Sequence, residues 1–62
     1  MTYYIGLRFT DGSDYGGHCV CNDDNHANAT MDAIIDKHKQ DEKEVASQYL
    51  SMLENGRYIR CR

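Results

Sequence analysis

The sequence predicts an α+β fold: a three-stranded antiparallel sheet in strand, strand, helix, helix, strand order (ββααβ), with the two helices packed on one face. Three observations lead there. Tyr3, Ile5, Leu7 and Phe9 alternate with Tyr4, Gly6, Arg8 and Thr10, the period of a strand with one buried face. Apolar residues from Ala27 to Leu53 recur at helical spacing, as expected for amphipathic helices. Arg57-Tyr58-Ile59-Arg60-Cys61-Arg62 then alternates again. With 62 residues in all, the chain has room for a single small domain spanning 1–62 and not for a two-domain enzyme.

The elements follow in order. After the first strand, Asp11-Gly12-Ser13-Asp14 reads as a turn, because glycine tolerates positive φ and short polar side chains bond back to their own backbone. A return strand from about Tyr15 to Cys21 then puts Gly17, Cys19 and Cys21 on one face and His18 and Val20 on the other. The adjacent Gly16 and Gly17 suggest a bulge or close backbone packing. Asn22-Asp23-Asp24-Asn25 supplies side-chain oxygens able to cap a helix. Ala27, Met31, Ile34, Ile35 and His38 form one helical cluster, and Val45, Ala46, Tyr49, Leu50 and Leu53 form a second.

Between the clusters, residues 37–44 are polar but contain neither glycine nor proline, so one long helix and two shorter ones both fit. A single helix of roughly 27 residues would be about 40 Å long, against about 27 Å for an eight-residue strand. Two helices match the sheet better, with Asp41 as N-cap and Glu44 as its capping-box partner. Asn55-Gly56 then ends the helical region, glycine being the usual left-handed residue after a helix. On this reading the odd-numbered residues of the first strand, Cys19, Cys21, Ile59 and Cys61 face a helical layer that includes Met31, Val45, Tyr49, Leu50 and Leu53.

Composition is that of a folded domain, 40% hydrophobic and 27% charged. No run approaches the ~20 apolar residues that cross a bilayer, and Met1-Thr2-Tyr3-Tyr4-Ile5-Gly6 lacks the pattern of a signal peptide. A soluble, non-secreted, cytoplasmic protein with no membrane contact is expected. Three cysteines, an odd number, suit a reducing compartment better than a disulfide framework. Without secretion, Asn28-Ala29-Thr30 carries no glycosylation argument.

Charge is uneven. Residues 9–36 hold six aspartates, including Asp11, Asp14, Asp23 and Asp24, and no lysine or arginine, whereas the last six residues hold three arginines. The aspartates serve either as turn and cap residues or as an acidic surface for a basic partner, a nucleic-acid mimic being the extreme case. The sheet face away from the helices is the second candidate surface. Strand phase projects Tyr4, Arg8, His18, Val20, Tyr58 and Arg60 from it, with Arg62 at its margin, and tyrosine and arginine are the residues that most often carry interface energy. Stacking on single-stranded bases is an alternative use of such a face, but a net charge of −3 argues against a nucleic-acid footprint.

Cys19, Cys21, Cys61 and His26 offer enough soft ligands for zinc, although Cys-x-Cys departs from the usual Cys-x2-4-Cys knuckle and three buried thiols are the simpler reading. A calcium loop from Asp11 fails, since Tyr15 and Asn22 stand where oxygen ligands are needed. No phosphate-binding loop occurs, and no cysteine triad or oxyanion pocket can be inferred. His38 lies on the apolar stripe as a packing histidine whose titration would make assembly sensitive to mild acid.

The expectation is therefore a non-enzymatic protein-binding module without cofactor or metal, with Tyr4, Arg8, Tyr58, Arg60, Asp11, Asp14, Asp23 and Asp24 as binding residues. Its partner is expected to be a larger host protein or protein–nucleic-acid complex, and a homodimer is compatible with so small a core. By size and charge alone it is analogous to small phage-encoded inhibitors of host enzymes and defence complexes, anti-CRISPR proteins among them. The alternative is a small zinc-binding or nucleic-acid-binding regulator.

Overall fold

A computed structural model describes residues 1–62 as β1 (Thr2–Phe9), β2 (Asp14–Val20), α1 (Asp24–Gln40), β3 (Val45–Glu54) and β4 (Arg57–Arg60). The strands form one antiparallel sheet in the spatial order β2-β1-β3-β4, and α1 lies across one side of it. The expected three-stranded sheet with two helices is thus corrected to four strands and one helix, because the second predicted helix is the strand β3.

The apolar residues of β3 satisfy both periods. Read as a strand, Leu50 and Met52 point toward the helix while Tyr49, Ser51 and Leu53 point away. Leu, Met, Gln and Ala favour helix intrinsically, but sheet pairing overrides that weak preference. β3 lies between β1 and β4, with Leu50 opposite Ile5 and fully buried. Tyr49 and Leu53, expected in the core, are on the opposite face and exposed. Ile59, also expected inside, is 46% exposed, since β4 is an edge strand beyond the helix's reach.

The break between α1 and β3 carries no glycine. Asp41, expected to start a second helix, instead ends the first. The N–H of Lys43 donates to the carbonyl of His38 (2.9 Å) and that of Glu42 to Lys39 (3.0 Å), the bond pattern of a Schellman motif. Glu42 occupies its left-handed position at φ 61°, where glycine is usual. Asn55-Gly56, read as a helix stop, is instead the two-residue loop joining β3 to β4, with φ of 50° and 76°. Positive φ at both positions is what a type I′ hairpin turn requires.

The core lies between sheet and helix. Tyr3, Ile5, Leu7 and Phe9 of β1 meet Cys21, Ala27, Met31 and Leu50. Asp23 caps α1 by accepting from the His26 N–H at 2.8 Å. The buried Tyr3 hydroxyl donates to Asp24 at 2.7 Å, tying the central strand to the first helical turn. That carboxylate, together with burial, holds the Tyr3 proton well above the ordinary tyrosine range. At the other end His38 packs against Phe9 and Tyr15, with ring centres 5.0 and 5.2 Å away.

The last two residues clip helix to sheet. The Cys61 N–H donates to the Leu50 carbonyl at 2.7 Å, and the Leu50 N–H to that of Arg62 at 3.0 Å. The Arg62 guanidinium reaches Asp32 (2.8 Å) and Asn28 (3.2 Å) on α1, so it belongs to the helix side rather than to the margin of the open face. No helix is long and apolar enough to cross a membrane.

Candidate functional site: the open sheet face

The ladder register fixes which residues share the side away from α1. Tyr4 lies opposite His18 on β2 and Ser51 on β3, and Ser51 in turn lies opposite Arg60 on β4. Gly6 is flanked by Gly16 and Tyr49, Arg8 by Asp14 and Ser47, and Leu53 faces Tyr58. Tyr4, Arg8, Tyr58 and Arg60, four of the residues singled out from sequence, therefore share one face, with His18 and Val20 beside them. No other element of the chain covers it.

The aromatic rings do not stand up from this face; they lie across it. A Cβ on Gly6 would clash with the hydroxyl end of the Tyr49 ring, and one on Gly16 would collide with the Tyr4 hydroxyl. This explains the glycines: they are floors on which tyrosines rest, a pairing known to stabilise glycine in strands. Of the bulge or close backbone packing expected at Gly16-Gly17, the bulge is absent, since β1 and β2 pair without a break from Thr2↔Val20 to Arg8↔Asp14. The one irregularity falls between Arg8 and Phe9 where β1 meets β3.

The rings form a connected layer. Tyr4 is 5.0 Å from His18, 5.8 Å from Tyr49 and 6.1 Å from Tyr58, centre to centre. His18 Nε2 and the Tyr58 hydroxyl share a hydrogen bond of 2.8 Å, so side chains from the two outer strands meet above the central pair. Ser51 beneath them is buried although it faces away from the helix. The Arg60 guanidinium sits 5.9 Å from the Tyr49 ring centre and donates to the carbonyls of Gln48 (3.3 Å) and Arg62 (3.2 Å). Proximity of Tyr49 and partial burial raise the pKa of the Tyr4 hydroxyl. Between the rings and Arg8, Asp14 and Ser47 lies a hollow of about 270 Å³ floored by Gly6 and Gly16.

Reasoning from sequence missed Tyr49, Ser51 and Leu53 as members of this face because it placed them on a helix. The signal that would have found them is Asn55-Gly56, whose hairpin reading demands a strand immediately before it.

The acidic candidates are not gathered. Asp11 and Asp14 lie at one end of the β1–β2 hairpin and Asp23 and Asp24 at the other, about 20 Å apart along the strand. Most are occupied internally. Asp11 accepts from Lys43 Nζ at 2.6 Å and from the Ser13 N–H at 2.8 Å, partners that hold its carboxyl well below the usual carboxylate range. Asp23 is a helix cap and Asp24 receives the Tyr3 hydroxyl. Of the four, Asp14 alone shares the open face.

The zinc candidates also lie apart. The Cys19 and Cys21 thiols are 3.6 Å from each other on the helix side, where burial and the neighbouring thiol push the Cys19 pKa up. Cys61 follows β4 on the far edge, with its thiol on the Ile59 carbonyl at 3.5 Å. His26 Nδ1 accepts from the Asn22 N–H at 3.1 Å. No three His, Cys, Asp or Glu side chains converge as a metal site would need. No family model, no curated protein and no solved structure matches this chain, so the use of the open face has to be read from its own residues.

Proposed function

We propose that the chain is a non-enzymatic protein-binding module that presses its open sheet face against the working surface of a larger protein and occludes it. The observation that carries this reading is the layer of Tyr4, Tyr49, Tyr58 and His18, with Arg60 held beside it and the exposed Arg8 on the same face, all without cover. Tyr4 and Tyr49 resting over glycine, and Tyr58 hydrogen-bonded to His18, lose little freedom on contact, which favours affinity.

Size supports the same reading. A standard interface removes about 800 Å² from each partner, close to a fifth of this molecule's 4300 Å² surface. With extents of 35 × 19 × 15 Å, a whole broad side must take part, and the open sheet face is a broad side rich in aromatic and guanidinium groups. The partner is a larger host protein or protein–nucleic-acid complex, in the manner of a small phage-encoded inhibitor. Three free thiols suit a reducing compartment such as the cytoplasm.

The test is capture by the immobilised chain from lysate of the cells in which it acts, with variants run in parallel. A protein retained by the wild type and by Asp36→Asn, on the exposed side of α1, should be lost from Tyr4→Ala and Arg60→Ala, each weakening binding by at least about 2 kcal/mol with melting temperatures nearly unchanged. Equal retention by all four would reject the face as the interface.

A further inference from the structure

The molecule's charges are sorted by face. The open face carries Arg8, Arg60 and Asp14, a net charge of +1 on a chain of net −3, so nine of the ten acidic residues lie on the turns, the helix and the helix side of the sheet. Neither guanidinium of the open face is in an ion pair. Away from the open face, Lys43 is paired with Asp11 and Arg62 with Asp32, while Lys37, Lys39 and Arg57 are in neither ion pair. On it, Arg60 touches only carbonyl oxygens and a tyrosine ring, and the exposed Arg8 is in neither of the molecule's two ion pairs although Asp14 lies opposite it in the ladder.

We infer that the surface this face binds is an acidic patch on a protein, with carboxylates that reach Arg8 and Arg60 across the tyrosine layer. The inference rests on the reading of the open face as a protein-binding site and adds the chemistry of the partner. A guanidinium held in place by carbonyls keeps its full charge and part of its donor fork, the arrangement that accepts a carboxylate in two parallel hydrogen bonds. Arg8 and Arg60 are four residues apart in register, about 13 Å along the strands, with the rings between them, so two separated carboxylates flanking an apolar or aromatic group would match. A protein patch can be confined to this face. A nucleic-acid strand is charged along its whole length and would run past the face onto the acidic remainder. Those regions lie within one or two Debye lengths of about 8 Å in a molecule 15 Å thick.

The test is an NMR titration of the isotopically labelled full chain with three probes: hexaglutamate, hexalysine and a six-nucleotide oligothymidylate. Hexaglutamate should shift the Arg8 and Arg60 side-chain N–H signals and the Tyr4, Tyr49 and Tyr58 rings. The shifts should shrink at least fivefold in the Arg8→Gln/Arg60→Gln double variant and with added salt. Because Arg60 also braces the chain terminus, Arg8→Gln alone, at an exposed position, provides the measurement should the double variant unfold. A silent face with hexaglutamate, or larger shifts there with hexalysine, overturns the acidic partner while leaving the capture experiment to decide whether the face binds protein. Tighter binding of the oligothymidylate to the same residues overturns both.

Discussion

Tyr3 and Tyr4 are neighbours in β1 and belong to opposite sides of one sheet. Tyr3 is fully buried, its hydroxyl spent on Asp24 and its ring under α1. Tyr4 is half-buried, and its ring is packed sideways by His18, Tyr49 and Tyr58 while its outer surface meets water. The helix side is ordered by burial and the open side by contact within a single layer of rings. Burial scales with area removed from water, so the first side stabilises the fold. Lateral packing adds less but leaves an ordered apolar surface available to a partner.

The sharpest way to break that contrast is to truncate adjacent residues of β3. Leu50→Ala, on the helix side, should cost about 2–5 kcal/mol, comparable to the whole ~3–5 kcal/mol expected of a core this small. It should leave the protein largely unfolded in a urea melt. Tyr49→Ala, one residue away on the open side, should cost about 1 kcal/mol or less. Equal losses would mean that the open face is a second core rather than a binding surface.

The glycine floors come next. Gly6→Ala drives a methyl into the Tyr49 ring and should destabilise by about 1–3 kcal/mol as an overpacked site. Gly16→Ala meets mainly the tip of Tyr4, a terminal atom that can swing aside, and should cost less. The effect at Gly6 should be largely relieved in Gly6→Ala/Tyr49→Ala, as the coupling of a double-mutant cycle. Additive losses would show that the ring and the glycine are not matched.

The same contrast explains what could be read in the sequence. β1 alternates without interruption from Tyr3 to Phe9, so its phase, and with it the shared face of Tyr4 and Arg8, was legible. Tyr58 and Arg60 followed from the alternation after Gly56. β3 was not legible, because its apolar residues divide between a buried row and an exposed tyrosine-containing row, and Leu50 with Tyr49 and Leu53 mimics a helical stripe. Glu42 removed the remaining punctuation by taking a left-handed conformation that normally announces itself as glycine. Nor does sequence show that a tyrosine lies down on a glycine of the neighbouring strand.

An alkaline titration separates the two tyrosines of β1. The folded chain holds the Tyr3 proton more tightly than the unfolded chain, whose tyrosines ionise near pH 10. The stability this contributes is fully present below about pH 10 and is lost as pH rises above it. Tyr3→Phe should lower the melting temperature at neutral pH and flatten its fall between about pH 10 and 12. Tyr4→Phe should change that slope less, because the Tyr4 proton departs less from ordinary behaviour. A larger effect from Tyr4 would assign the stabilising hydroxyl to the wrong side of the sheet. Asp11 works in the opposite direction. Its lowered pKa gives stability that is present above about pH 4 and lost as pH falls further, and Lys43→Met should reduce that acid sensitivity.

The smallest change tests whether fold and face are independent. Glu42 is exposed and left-handed, a conformation that costs an L-residue roughly 1–2 kcal/mol, part of which glycine returns as unfolded-state entropy. Glu42→Gly should therefore stabilise the protein by about 0.5–1 kcal/mol, read as a higher urea midpoint with an unchanged slope. It lies at the end of α1, outside the open face, so partner retention should not move. A gain in stability with constant retention would separate the two sides of the sheet in function. A loss of retention would extend the binding surface around the edge to the α1–β3 turn, and the tyrosine layer would no longer account for recognition by itself.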